Sequence, residues 1–153
     1  MGEISRRVEQ DWKDALRAHR RDEVNVLRLI RTELQYAAKD KQAELTEAEE
    51  VAVLERMLKK RREALEMYRQ GGRSDMIAQE EAEIAIIERY LPQRLGRDEV
   101  LPIIEEVIRQ TGARGPRDFG RVMGLVMQRL KGHRVDGAQV RAWVEERLAR
   151  GHE

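Results

Sequence analysis

The stretch LTEAEEVAVLERMLKKRREALEMYRQGG, residues 45–72, decides the reading of the fold. Thr46 followed three residues later by Glu49 is a capping box, in which the Thr46 hydroxyl accepts from the Glu49 N–H and the Glu49 carboxylate reaches back. Val51, Leu54, Leu58, Leu65 and Tyr68 then recur at spacings of three and four, with Arg61 filling one slot. This is a heptad seam, short enough for a bundle or a helical hairpin rather than a long coiled coil. Gly71-Gly72 ends the helix, because Gly accepts the left-handed cap conformation.

Helical periodicity continues in both directions. Upstream, Ile4, Val8, Ala15 and Leu16, with Trp12 between them, form one apolar stripe. His19-Arg20-Arg21-Asp22 interrupts it, and Asp22 is expected to cap a second helix carrying Val26, Leu27, Ile30, Leu34 and Ala37. Downstream, Ser74 opens a helix with Ile77, Ile84, Ile87 and Leu91 inward, and Pro92 stops it. Residues Pro92 to Gly96 mark a boundary. Beyond it a helix starts near Asp98 with Val100, Ile104, Val107 and Ile108, so that Pro102 is expected in or near its first turn. Another starts at Pro116 with Phe119, Val122, Met123, Val126 and Leu130, and a last one starts at Asp136 with Val140, Val144 and Leu148. No stretch alternates long enough for a sheet. The expected fold is all-α: an N-terminal antiparallel helical bundle over residues 1–92 and a small three-helix C-terminal domain over residues 97–150.

Hydrophobic residues make up 41% of the chain and charged ones 39%, with 30 basic side chains against 29 acidic. That balance suits solvated helix faces rather than a disordered tail. Arg outnumbers Lys, which favours bidentate phosphate or carboxylate contacts and equally fits a GC-rich genome. Cys is absent, which excludes disulfides, thiolate nucleophiles and thiolate metal sites. The opening residues resemble no signal peptide, and no apolar run is long enough to cross a bilayer. The expectation is a cytoplasmic protein with no membrane partner. Aromatics are only 4%, too few for broad base-stacking platforms.

Candidates for chemistry are sparse. Ser5 and Ser74 sit near helix starts, where capping explains them better than nucleophilic catalysis. Thr46 is a cap, Thr111 precedes a helix-ending Gly, and Thr32 has no His near it. His19, His133 and His152 lack the spacing of a helical metal site. Glu80, Glu81 and Glu83, and likewise Glu105 and Glu106, read as solvated faces rather than acid–base pairs. No phosphate-binding loop or dinucleotide fingerprint is present. No cofactor, metal or catalytic residue is therefore assigned.

One segment stands apart. Between Ala113 and Arg141 lie seven basic residues, Arg114, Arg117, Arg121, Arg129, Lys131, Arg134 and Arg141, against two acids, Asp118 and Asp136. Gly115, Gly120, Gly124, Gly132 and Gly137 are interspersed. Gly120 and Gly124, four apart, share one helix face, although each Gly in a helix costs about 1 kcal/mol relative to Ala. Such a pair implies close approach, either of a neighbouring helix or of a nucleic-acid backbone.

The same residues carry a family resemblance. Phe119-Gly120-Arg121-Val122-Met123-Gly124-Leu125-Val126-Met127, then Lys131-Gly132 and Asp136-Gly137, resemble the signature of the GatB/YqeY family. Glu80-Glu81-Ala82-Glu83-Ile84 with Tyr90-Leu91-Pro92-Gln93-Arg94-Leu95 resemble a second hallmark, and Lys60-Arg61-Arg62 through Tyr68 with Gly71-Gly72-Arg73 a third. The likeness spans nearly the whole chain, at the length of the stand-alone YqeY proteins. Arg121 stands where the family usually has Lys, and three residues, His133-Arg134-Val135, fill a loop where two are expected.

The resemblance implies an N-terminal helical bundle and a small helical C-terminal domain. The latter is similar to the tail of the B subunit of the glutamine-dependent aminoacyl-tRNA amidotransferase, a tRNA-binding element remote from that enzyme's chemistry. It implies a non-catalytic module that binds tRNA or another structured RNA, with an amidotransferase or synthetase as a further partner. Arg121, Arg129, Lys131 and Arg134 are the expected phosphate contacts, Gly120 and Gly124 the close-approach positions, and Arg114 and Arg117 second-line contacts. Two other classes stay open: a protein–protein module using the residue 51–68 seam, and a part in carbon–nitrogen ligase activity with glutamine as amido donor.

Overall fold

The computed structural model describes residues 1–151, and within them the chain is helical with no strand. The elements are α1 (Glu3–Arg17), α2 (Arg21–Lys41), α3 (Glu47–Gln70), α4 (Ser74–Glu88), α5 (Arg97–Thr111), a 3-10 turn (Pro116–Asp118), α6 (Phe119–Arg129) and α7 (Gly137–Ala149). They divide into two compact units, Met1–Leu91 and Pro92–Glu153.

In the first unit α1 packs on α2 and α3 on α4, and α2 and α3 join the two pairs. The core is built from Ile4, Val8 and Ala15 of α1, Val24, Leu27, Ile30 and Leu34 of α2, and Val53, Leu54 and Leu58 of α3. Ile86, Ile87, Tyr90 and Leu91 close it. Helices α2 and α3 each touch all three other helices of the unit, so the buried stripe of α3 is wider than a heptad seam. Val53 is buried where the spacing singled out Val51, which is only half-buried.

The expected capping box at α3 is present: Glu49 N–H donates to Thr46 Oγ1 at 3.2 Å, and Thr46 N–H donates to Glu49 Oε1 at 2.9 Å. Lys41 adds an ammonium 2.5 Å from the same carboxylate oxygen. Three other caps differ from expectation. Helix α2 begins at Arg21, and Asp22 lies in its first turn with no side-chain cap at its N-terminus. Ser74 is the first residue of α4 rather than its cap. Ser5 is a donor: its N–H at 2.8 Å and its hydroxyl at 2.5 Å both go to Glu50 Oε2.

Glu50 is fully buried and belongs to α3. Its carboxylate therefore caps α1 from a different helix. The N-cap of α1, Gly2, has no side chain to do so, and a Cβ there would collide with Glu50 Oε1.

The long half of α3 pairs with α4 through ions. Arg61, in the polar slot of the seam, bonds Glu83 and lies 3.5 Å from Glu80. Arg62 reaches Glu88 at 2.5 Å and Arg69 reaches Glu81 at 3.5 Å. Glu80 and Glu83, expected on a solvated face, are thus largely covered. Tyr90 is buried and donates to Asp11 Oδ2 at 2.5 Å, and burial together with that carboxylate pushes its hydroxyl above the ordinary tyrosine range. Arg89 holds Glu23 at 2.5 Å and, with Arg20 at 2.7 Å, keeps that carboxyl below its usual value.

In the second unit α5, α6 and α7 enclose Val100, Ile104, Val107, Ile108, Val122, Val126, Leu130, Val140, Val144 and Leu148. Pro102 lies inside α5, beyond its first turn. The ring removes the N–H that would bond the Asp98 carbonyl, and both Asp98 and Pro102 are exposed residues, so the lost bond falls at the surface of the helix. Helix α7 begins beside Asp136, where the sequence put its start, and the Asp136 side chain caps it, accepting from Ala138 and Gln139 N–H at 3.0 and 3.4 Å.

Two outcomes follow from the caps. Glu50→Ala removes the acceptor for two donors of α1 and should lower unfolding free energy by about 2 kcal/mol or more, with Glu50→Gln losing less, as read by urea denaturation. The Glu49 carboxyl, held at about 2 against an ordinary 4.5 by the Lys41 ammonium and then by the Thr46 N–H and hydroxyl, should titrate near 2 in an NMR series. Because the folded value is the lower one, its contribution is present above about 4.5 and fades as the pH falls toward 2.

Candidate nucleic-acid interface

Helix α5 ends where Gly112, at φ 68°, turns the chain in the left-handed region. Thr111 Oγ1 donates to the Val107 carbonyl at 2.9 Å and accepts from Ala113 N–H at 3.3 Å, which braces the turn. The loop that follows closes on Asp118, whose Oδ2 accepts from Arg114 N–H at 2.9 Å. The Arg114 and Gly115 N–H groups, with the Arg121 charge nearby, hold the Asp118 carboxyl below its ordinary value.

Helix α6 runs 11 residues, about 16 Å. Val122 and Val126 point into the core. On the opposite side Gly120 and Gly124 are exposed, and a Cβ added to either would meet no atom within 4 Å. No neighbouring helix explains these glycines. Of the two occupants left open by the sequence, the one inside the unit is thereby removed. Gln128 continues the same row one turn on, and Leu125 and Met127 flank it, 38% and 37% exposed.

The expected contact residues fall into groups along this helix. Arg114, Arg117 and Arg121 gather at its N-terminal end, all exposed. Arg121 Nη2 lies 3.3 Å from Asp118 Oδ1 and 3.4 Å from the Thr111 carbonyl, so the guanidinium is oriented yet remains open to solvent. At the other end Lys131 is exposed beside Gly132, which turns at φ 89°. Arg129 leans toward α5, with Glu106 at 3.0 Å and Gln110 at 2.7 Å.

Arg134 is different. It is half-buried, donates to the Pro92 carbonyl at 3.3 Å, and its own carbonyl accepts from Leu95 N–H at 2.8 Å. The structure shows it anchoring the loop before α7. Arg141, counted above only for its charge, lies over the Phe119 ring at 5.5 Å and within 3.0 Å of Glu145. Its distance from α6 in sequence hid that contact. Leu125 and Met127 were legible only through their spacing from Arg121 and Gly124.

Asp118 and Asp136, the two acids of the segment, are both occupied with backbone N–H groups. The face that remains is cationic at its ends and lacks side chains at its centre. Among the described residues no three His, Cys, Asp or Glu side chains are grouped to hold a metal. Among the described residues no helix is long and apolar enough to cross a membrane.

Comparison with known proteins agrees with this architecture. The YqeY-like protein family matches residues 5–148, and the chain belongs to it. It is 25% identical over 142 residues to "Altered inheritance of mitochondria protein 41, mitochondrial" of Pyrenophora tritici-repentis, covering 92% of this chain and 78% of the relative. It is 29% identical over 80 residues to "Uncharacterized protein C22F3.15" of Schizosaccharomyces pombe, covering 52% of this chain and 65% of that protein.

Because nothing opposes a Cβ at either position, Gly120→Ala and Gly124→Ala should each raise stability, by up to about 1 kcal/mol, as read from denaturation midpoints. Loss of stability in either variant would show that the glycine is needed by the fold itself.

Proposed function

We propose that the exposed face of α6 binds the sugar–phosphate backbone of a structured RNA, tRNA first, and that the chain acts as a binding module. The observation that carries the reading is the pair of open glycines, Gly120 and Gly124, between cations. A helix keeps such residues at a cost to its own stability unless a ligand gains from the smooth surface. The N–H groups at the start of α6 add a partial positive charge suited to a phosphate. Arg121 and Lys131 contact phosphates from the two ends, with Arg114, Arg117 and Arg129 beside them. Arg134 contributes by holding the loop.

The likeness to the amidotransferase tail supports tRNA over other RNAs, and it supports a tRNA amidotransferase or synthetase as the enzyme that the module serves. The reading asks only for an aqueous compartment holding tRNA. The cytoplasm expected from the sequence is one, and the mitochondrion named for the Pyrenophora relative is another.

Binding to total tRNA across a salt series tests this. The log-affinity should fall by several units per log of salt, as phosphate neutralisation requires. Arg121→Ala and Lys131→Ala should each reduce that slope by about one, and Gly124→Leu should weaken binding without loss of helical signal. A double Arg121→Ala, Lys131→Ala variant that binds tRNA like the wild type would sink the proposal.

A further inference from the structure

The first unit carries a surface that the RNA reading leaves unused. Helices α2 and α3 leave a groove of about 360 Å3 between them. Val53 forms its most buried part, Met57 and Ala64 are half-buried along it, and Leu29 of α2 stands over it, 47% exposed. A single exposed Leu needs no explanation. A Leu, a Met and an Ala lining one groove along three turns of α3 do, because Val53 to Ala64 spans about 16 Å, the length of a short docked helix. Met57 adds a side chain that adapts to an incoming apolar surface.

The charges choose the occupant. Arg61, Arg62 and Arg69 of α3 each pair with a Glu of α4. Arg56 and Lys60, one turn apart on the α3 edge of the groove, are exposed and have no ion-pair partner among the described residues. Opposite them lies Glu33 of α2, and Glu80 of α4 also lines the groove. A phosphate backbone laid there would meet the Glu33 carboxylate, the Arg61–Glu80 pair and an apolar floor. A peptide helix would meet an apolar track with cations along one edge.

We infer that this groove docks a short amphipathic helix of a protein partner, apolar stripe inward, with Asp or Glu residues along the flank that faces Arg56 and Lys60. This surface is independent of the α6 face, so the module holds a protein through its first unit whatever its second unit binds.

A displayed library of 15-residue helical peptides, with a fixed apolar stripe and randomised flanks, is selected on the full chain. Enriched peptides should carry acidic residues on one flank. Leu29→Glu should weaken the best of them by about tenfold or more in fluorescence anisotropy. The Arg56→Glu, Lys60→Glu double variant should shift the selection to basic flanks. All three positions are exposed, and unchanged circular dichroism confirms that the variants fold. No enrichment, enrichment without a charge bias, or binding indifferent to Leu29→Glu would overturn the inference. So would a fall in tRNA affinity in the double variant equal to that of Arg121→Ala, Lys131→Ala, since the rim would then belong to RNA. Intact tRNA binding with peptide binding lost separates the two surfaces.

Discussion

The carboxylate of Glu50 is the contact on which the first unit most depends. Helix α1 begins at a glycine that cannot cap it, and the acceptor it needs arrives from the first turn of another helix. The donors and the carboxylate lie 45 residues apart in the chain. Forming the cap therefore requires α1 and α3 to be in place together, and leaving it unformed would deprive a buried acceptor of its donors. A capped α3 is the precondition. Its own box on Thr46 and Glu49 starts the helix one residue before the carboxylate that α1 uses. Local and long-range capping thus meet at adjacent residues, Glu49 and Glu50.

Charge in this chain is organised by pairing rather than by excess. Arg61 and Glu83, Arg62 and Glu88, and Arg89 and Glu23 join helices across the first unit. The more exposed of these pairs contribute little each, so their value lies more in register than in stability, whereas Arg61 and Glu83 are largely covered. Pairing also makes the exceptions informative. In the second unit Arg121, Arg129 and Arg141 each lie within reach of an acid, while Arg114, Arg117 and Lys131 have no ion-pair partner among the described residues. In the first unit Arg56 and Lys60 are left over on one edge of a groove.

Local signals were legible in the sequence and non-local ones were not. The capping box, the stop at Gly71-Gly72 and the helix start at Asp136 each involve a few consecutive residues, and each stands in the structure, whereas the helix expected from Pro116 begins as a 3-10 turn and becomes α-helical only at Phe119. Asp22 and Ser74 were misjudged because a capping residue type near a helix start does not say which residue takes the cap. Ser5 was placed correctly but given the wrong role, since its acceptor lies in α3. The α6 face was legible as a Gly spacing, while its openness was not, because periodicity cannot tell an exposed face from one that packs on a neighbour. Arg134 looked like a free cation until the Pro92 carbonyl was placed beside it.

The open glycines of α6 also bear on how the second unit breathes. An 11-residue helix with two residues of poor helical propensity on its open face depends on Val122 and Val126 on the other face to hold it to its unit. Its amides are therefore placed to exchange with solvent through partial opening, at a free energy below that of global unfolding. A ligand lying along that face would be bound by the closed form alone, so occupancy would slow exchange there first. The proposed binding face and the stretch that the two glycines weaken would then coincide.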